Sequence, residues 1–350
     1  MSNASRGSSH EKCDFYVNTL PVKSSLILAF ALVLLLNVVG DILIVITVRK
    51  RRELRKTVNY FIVNMAVSDL LYPLTDIPTN LAKIASSSNK WHIIGAKGLV
   101  FCKMTYYMRH VSISVSVASL IWIALDRFVA VVLPMKAHLI STKFRKYAIV
   151  STWIVAMVIN LTDLFKYELE YEDKKTVCKS MRNVPSLFID KKTHIYLFHI
   201  LPMIVLALLY SVIAVMLRVQ DKMLGAAPEN RNDYRKRHAF KMCLCILAVF
   251  YICSLPTLLR NISEEYDFHW PCYVKKPMFF IGEVMFYISS SLNLVICFTF
   301  VESYRRGLRQ IVTLWLNSCM CKRPRMRNKE TDKKDGIILQ SIKFKNADGS

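Results

Sequence analysis

The sequence predicts an all-α membrane protein: a seven-transmembrane helix bundle followed by a short amphipathic eighth helix. Three observations predict it. Seven apolar runs recur along the chain, each near the roughly 20 residues that a bilayer core requires. Basic clusters follow alternate runs, as the charge rule for membrane topology demands. The 350 residues are 53% hydrophobic with only 9 Gly and 11 Pro, a run-rich composition that a soluble domain does not need.

The runs are Leu26–Val48, Val58–Ile84, Leu99–Val132, Tyr147–Phe165, His194–Leu217, Ala239–Ile262 and Pro277–Phe300. Helices are the form that can cross, because every backbone polar group must be satisfied within its own segment. The alternation of a membrane barrel is absent. The second and third runs contain scattered polar residues, which are costly in hydrocarbon and are therefore expected to face the bundle interior.

Lys and Arg number 48 against 25 Asp and Glu, a formal net charge of +23. Such an excess raises the question of nucleic acid. Here it sits in short clusters between apolar runs, which points to topology and away from nucleic acid. The clusters are Arg49–Arg52 with Arg55 and Lys56, then Lys136, Lys143, Arg145 and Lys146, then Arg231, Arg235, Lys236 and Arg237, and finally Arg305, Arg306 and Arg309 with a basic run at Lys322–Lys329. All fall on one side, which makes that side cytoplasmic and places the N-terminus outside, at the plasma membrane. Residues 1–25 form an extracellular tail without the apolar core of a signal peptide, so the first run is expected to act as the insertion signal. The bundle spans 26–300, an amphipathic helix 301–321 and a disordered cytoplasmic tail 322–350. Asn3-Ala4-Ser5 is a glycosylation sequon on the outer side, whereas Asn160-Leu161-Thr162 falls inside a run and is discounted.

Topology also sorts the 10 cysteines. Cys102 opens the third run on the outside and Cys178 lies in the following outer loop, where a disulfide would tie that loop to the bundle mouth. Cys13 and Cys272 are also outside; they form either a second bridge or two free thiols. Cys319 and Cys321 follow the amphipathic stretch, a position suited to palmitoylation. No Cys and His cluster has zinc spacing.

Cys102 and Arg127 stand 25 positions apart on one helical pattern, roughly 37 Å at 1.5 Å per residue. One helix thus carries a cysteine at the outer mouth and Asp126-Arg127-Phe128 at the inner end. Intramembrane charges of that kind are functional candidates.

With these residues in place, the chain from about 26 to 321 resembles the rhodopsin-like (class A) G-protein-coupled receptors, and peptide receptors among them. Asn64 to Leu70, around Asp69, is similar to the family's acidic motif in the second helix. Trp91, Trp153, the Pro202 and Tyr210 pair, and Phe250, Cys253 and Pro256 fall at the family's intervals. Asn293 and Phe300 to Arg306 resemble the end of the seventh helix and the short helix after it. Three departures accompany the matches. Asp41 stands where the family has Asn, Ser254 replaces the tryptophan of the sixth-helix pivot, and Asn293-Leu294-Val295-Ile296-Cys297 lacks the motif's proline and tyrosine. The kink that such a proline gives is expected to be weaker or missing.

The resemblance implies a receptor that transduces an extracellular ligand, a neuropeptide or other polar molecule, to a heterotrimeric G protein. It implies an activation switch of Asp126, Arg127, Tyr210, Phe250, Pro256 and Asn293, with Arg127 on Asp126 at rest. It implies a sodium ion held by Asp69, Ser116, Ser290 and Asn293. Asp41 adds a carboxylate nearby, and since two close buried acids rarely both ionise, basal activity is expected to depend on pH or sodium. No other cofactor is implied.

The position where amine receptors carry an acid is Arg109, which disfavours a biogenic amine. Tyr287 stands at the retinal-lysine position of opsins, which disfavours light sensing. Glu283, a turn above Tyr287, can pair with Arg109, either as a structural ion pair or as a grip on a ligand's carboxylate and amine. The long charged loop Lys166–Lys192 suits a peptide. The alternatives are a receptor for a lipid or small acid anchored on Arg109, and a poorly coupling decoy given Ser254, Leu294 and Cys297. Inner Lys and Arg would attract anionic membrane lipids. A transporter would show repeats with broken helix pairs, and a channel a filter sequence. An enzyme would show a nucleophile–base motif or a phosphate-binding glycine loop. None is visible.

Overall fold

The computed structural model describes residues 19–139, 141–172, 175–181, 191–224, 231–266, 268 and 270–320. Asn3, Cys13, Cys321 and the 322–350 tail lie outside the described residues, as does the side chain of Cys319. The chain divides into two compact units, Met1–Arg305 and Arg306–Ser350.

In the first unit, α1 (Leu20–Lys50) begins with Pro21 in its first turn, where the missing N–H is no loss, and ends on Arg49 and Lys50 at the negative end of the helix dipole. The second helix, α2 (Thr57–Ser86), is closed by Ser87 in the left-handed region with φ 49°, its N–H returning to the Ile84 carbonyl. The longest helix is α3 (Gly95–Val132). Ser141 caps α4 (Thr142–Ile159) by accepting the Phe144 N–H at 3.2 Å. A 3₁₀ turn, Asn160–Thr162, leads into α5 (Asp163–Lys166). A hairpin follows, β1 (Tyr167–Glu172) antiparallel to β2 (Lys175–Ser180). A π-helical turn, Tyr196–Ile200, joins α6 (Lys191–Ile195) to α7 (Leu201–Leu224). Then come α8 (Arg231–Glu265) and α9 (Cys272–Phe300). Helix α10 (Glu302–Met320) starts at the end of the first unit, and its residues from Arg306 belong to the second.

The helices overrun the expected spans by a few residues, because hydropathy marks the hydrocarbon layer while helical hydrogen bonding continues past it. Among the described residues, six of them, counting the α4–α5 and α6–α7 runs as one each, are long and apolar enough to cross a membrane. Helix α2 falls short on composition, not length: its 30 residues reach about 45 Å. Its polar side chains explain the shortfall, since Asn59, Asn64, Ser68 and Asp76 are buried. The opposite pattern marks the outside of the bundle. Leu28, Leu32, Leu35 and Val39 on α1, and Leu208, Val212 and Val215 on α7, are exposed apolar stripes at helical spacing. Water would penalise such stripes and lipid does not. This is a multi-pass membrane protein with a seven-helix architecture.

The inner half of the core is apolar, built on Ile44, Ile62, Leu120, Ile123, Ile213 and Tyr304. Helix α9 runs unbroken through Asn293–Cys297, and its internal proline is Pro277 near the start. Pro256 lies inside α8.

Candidate functional site

The end of the bundle that carries the Cys102–Cys178 bridge encloses a cavity of about 620 Å³. Helical spacing builds one of its walls and the support beneath it. Asp76, Asn80 and Glu283 line the cavity, while Tyr72, four residues before Asp76, and Tyr287, four after Glu283, lie on the same helix faces. Glu283, 2% exposed, receives three donors: Tyr72 Oη at 2.7 Å on Oε2, and Arg109 Nη2 at 3.0 Å and Arg260 Nη1 at 3.3 Å, both on Oε1. The guanidinium of Arg109 lies over the Tyr72 ring at 4.8 Å and that of Arg260 over Phe279 at 5.0 Å. Arg109 and Glu283 therefore meet directly across the bundle.

Tyr287 does not join them. One turn below Glu283, it is 1% exposed, packs on Tyr72 and Phe30, and hydrogen-bonds Asp76. Asn80 donates to both Asp76 and Tyr287, at 2.9 and 3.1 Å. Tyr287 is thus a support beneath the cavity rather than part of its lining, because the wide aromatic rings fill the space at that depth.

Another wall is made of imidazoles. His110 Nδ1 lies 2.7 Å from Asp163 Oδ2, and the His194 ring is 4.6 Å from His110. Nε2 of His194 and Nδ1 of His199 are buried and have no hydrogen-bond partner among the described residues. All four residues line the cavity. Asn160 is buried, donating to Ser114 at 2.8 Å, so its sequon is closed to a glycan.

The hairpin lies at the cavity mouth. The expected bridge ties it down: Cys102 and Cys178 are bonded, with Cα atoms 5.9 Å apart. Tyr106 on α3 stacks on Tyr167 at 3.8 Å. Burial pushes the Tyr167 phenol well above its ordinary pKa, with Tyr106 beside it adding to the rise. Lys179 lies within 3.4 Å of Glu172 and 3.5 Å of Glu170, and its pKa is raised, chiefly by the hydrogen bond to Glu172. Cys272 is disulfide-bonded, and Cys13 lies outside the described residues.

Below the cavity is a polar centre. Ser116 donates to Asp69 at 2.5 Å and also meets Ser68 at 3.0 Å, while Asn293 reaches Asp69 at 3.5 Å. Ser290 departs from the expected convergence: it donates to Asp41 at 2.9 Å. The reason is the second carboxylate, which accepts from Ser290 and so competes with Asp69 for it. The pocket beside Asp69, Ser116 and Ser290 has room for about 20 Å³. Asp69, Ser116, Ser290 and Asn293 each carry an oxygen, the ligand atom that a hard cation such as sodium requires. Among the described residues no group of three or more His, Cys, Asp or Glu is arranged to hold a metal.

At the end of α3 away from Cys102, Arg127 folds onto Asp126, with Nη2 at 2.5 Å and Nε at 3.2 Å from Oδ2. Tyr210 is buried nearby and shares a side-chain hydrogen bond with Cys243. Phe250 belongs to the same core, and Ser254, in place of a tryptophan, donates to the Phe250 carbonyl at 2.7 Å. Cys297 is buried within that core.

Arg260, Tyr72, Asp76 and the His–Asp wall were absent from the sequence reading. Signals existed. Asp76 lies two helical turns after Asp69 on one face, and ionisable residues inside a span, such as His199, are functional candidates. The hairpin was signalled by alternation and by facing charges, Glu168 opposite Lys179 and Glu172 opposite Lys175.

Comparison with known proteins agrees with this geometry. The sequence pattern described as 7 transmembrane receptor (rhodopsin family) matches residues 40–296. Neuromedin-U receptor 2 of Rattus norvegicus is 27% identical over 88% of this chain and 78% of its own length. Neuropeptide FF receptor 1 of Homo sapiens is 27% identical over 94% of this chain and 79% of its own. A QRFP-like peptide receptor of Branchiostoma floridae is 26% identical over 69% of this chain and 65% of its own.

Proposed function

The chain belongs to the rhodopsin family of seven-transmembrane receptors, and we propose that it carries an extracellular peptide signal to a heterotrimeric G protein. The relatives are named as receptors for neuromedin-U, neuropeptide FF and a QRFP-like peptide. A cavity of about 620 Å³ with charged walls suits a polar peptide segment better than a lipid tail.

The observation that carries the reading is the two-ended construction of α3. Its outer end is bonded through Cys102 to the hairpin at the cavity mouth. Its inner end holds Arg127 against Asp126. In the proposed resting state that pair keeps Arg127 occupied. Agonist favours a state in which α8 swings outward about Pro256, Phe250 repacks, Tyr210 and Asn293 change partners, and Arg127 is released toward the G protein. The shift in population is bounded by the ligand's differential affinity for the two states.

The reading places the receptor in the plasma membrane, N-terminus outside and C-terminus inside. It assigns glycosylation to Asn3, a second bridge to Cys13 and Cys272, and palmitoylation to Cys319 and Cys321. The juxtamembrane Lys and Arg attract anionic lipids. Asp69, Ser116, Asn293 and, through Asp41, Ser290 would hold sodium, which supplies positive charge to a buried acidic centre.

The test is a pooled peptide library applied to cells with a promiscuous G-protein readout. At least one pool should activate wild type, and Arg127→Ala should lower that response at least about tenfold at equal surface expression, the equivalent of about 1.4 kcal/mol of coupling. A response that Arg127→Ala leaves unchanged would count against the mechanism.

A further inference from the structure

The Arg109–Glu283–Arg260 arrangement holds two cations on one carboxylate. Glu283 accepts from both guanidiniums through the same oxygen, Oε1, and its other oxygen receives Tyr72. A guanidinium has five N–H donors. Among the described residues, each of these two makes one hydrogen bond, the one to Glu283. Their flat faces are covered by Tyr72 and Phe279. What remains is the N–H edges, on side chains 14% and 13% exposed that line the cavity.

The other acid of this wall is already engaged, since Asp76 receives Tyr287 and Asn80. Around the whole cavity, five Lys and Arg face four Asp and Glu. A simple ion pair closing the bundle needs one arginine for one glutamate. The second arginine goes beyond that need and leaves unpaired donors on side chains that line the cavity, where a charge-assisted bond to an anionic group can form.

We propose that this wall is a carboxylate subsite: Arg109 and Arg260 clamp an acidic group of the ligand, and Glu283 holds the two guanidiniums at the required spacing. The proposal rests on the cavity being the ligand site, and it names the chemistry that the site selects. The acid would come from a peptide's Asp or Glu side chain or its free C-terminus. Glu283 remains buried between the two arginines, so positive and negative groups alternate along the wall.

The test uses the purified full-length receptor in nanodiscs at constant ionic strength and pH 7.4. The probes are N-acetyl-glutamic acid α-amide, its neutral isostere N-acetyl-glutamine amide, and N-acetyl-lysine amide. The readout is the unfolding temperature against probe concentration. The glutamate probe should raise it saturably in the millimolar range, while the glutamine probe should not. Arg260→Gln leaves the Arg109–Glu283 pair in place, and it should weaken half-saturation by the glutamate probe about tenfold or more. No shift with the glutamate probe, an equal shift with glutamine, or an unchanged response in Arg260→Gln would overturn the proposal. So would a larger shift with lysine, which would make Glu283 the anchor. This readout is binding alone. Its failure leaves the receptor reading standing, whereas a signal insensitive to Arg127→Ala removes that reading and leaves this binding result intact.

Discussion

Trp153 on α4 donates its indole N–H to Asn64 Oδ1 on α2 across 2.8 Å. The same Asn64 donates to Ser119 at 2.9 Å and Thr152 at 3.4 Å, so one amide joins α2 to α3 and α4. Ser119 and Thr152 also bond carbonyls of their own helices, whereas Asn64 supplies the acceptor for the Trp153 N–H. Asn64→Leu, close in size, should cost about 1–3 kcal/mol by stranding the Trp153 donor. Thermal unfolding of the solubilised receptor should show a fall of several degrees. An unchanged midpoint would mean that Trp153 finds another partner.

The Cys102–Cys178 bridge closes a segment with a sequence separation of 76. Chain-entropy arguments assign such a loop up to about 4 kcal/mol, and less where the unfolded chain stays confined to the membrane. Cys178→Ala should lower the unfolding temperature and free β1 and β2 from α3. Hydrogen exchange should then rise in Tyr167–Ser180 first, with the helices below it little changed.

Asp69 lines one small polar pocket with Ser116 bonded to it, and Asp41 lies behind that pocket's Ser290, which donates to it. If sodium is held there, replacing choline by sodium should raise the unfolding temperature of wild type. Asp69→Asn should abolish the rise, and Asp41→Asn should reduce it. Equal sodium responses in wild type and Asp41→Asn would show that the second acid takes no part.

The parts of this molecule legible in its sequence are those fixed by the solvent. Hydrocarbon thickness dictates the apolar runs, and Cys102 at one end of its run with Cys178 in the loop after the next made the bridge readable. The Arg109–Glu283 pair was readable because Glu283 is the one charge inside its run and Arg109 stands well inside another. Arg260 was not, since an arginine near a helix end reads as one that reaches for the headgroups. Its inward turn is set by Phe279 and Glu283, which are distant in sequence. The same holds for Tyr287, whose place below the cavity depends on rings from α1 and α2, and for Ser290, whose choice between two acids is a matter of tertiary geometry.

Helix α2 also bears on the central claim, because hydropathy alone counts six crossings and omits it. Seven crossings place the chain ends on opposite sides of the membrane, and six place them on the same side. The direct measurement is antibody access to tags at each end of the protein in intact and permeabilised cells. The receptor account predicts that the N-terminal tag stains intact cells and the C-terminal tag stains only after permeabilisation. Both tags staining under the same condition would contradict it.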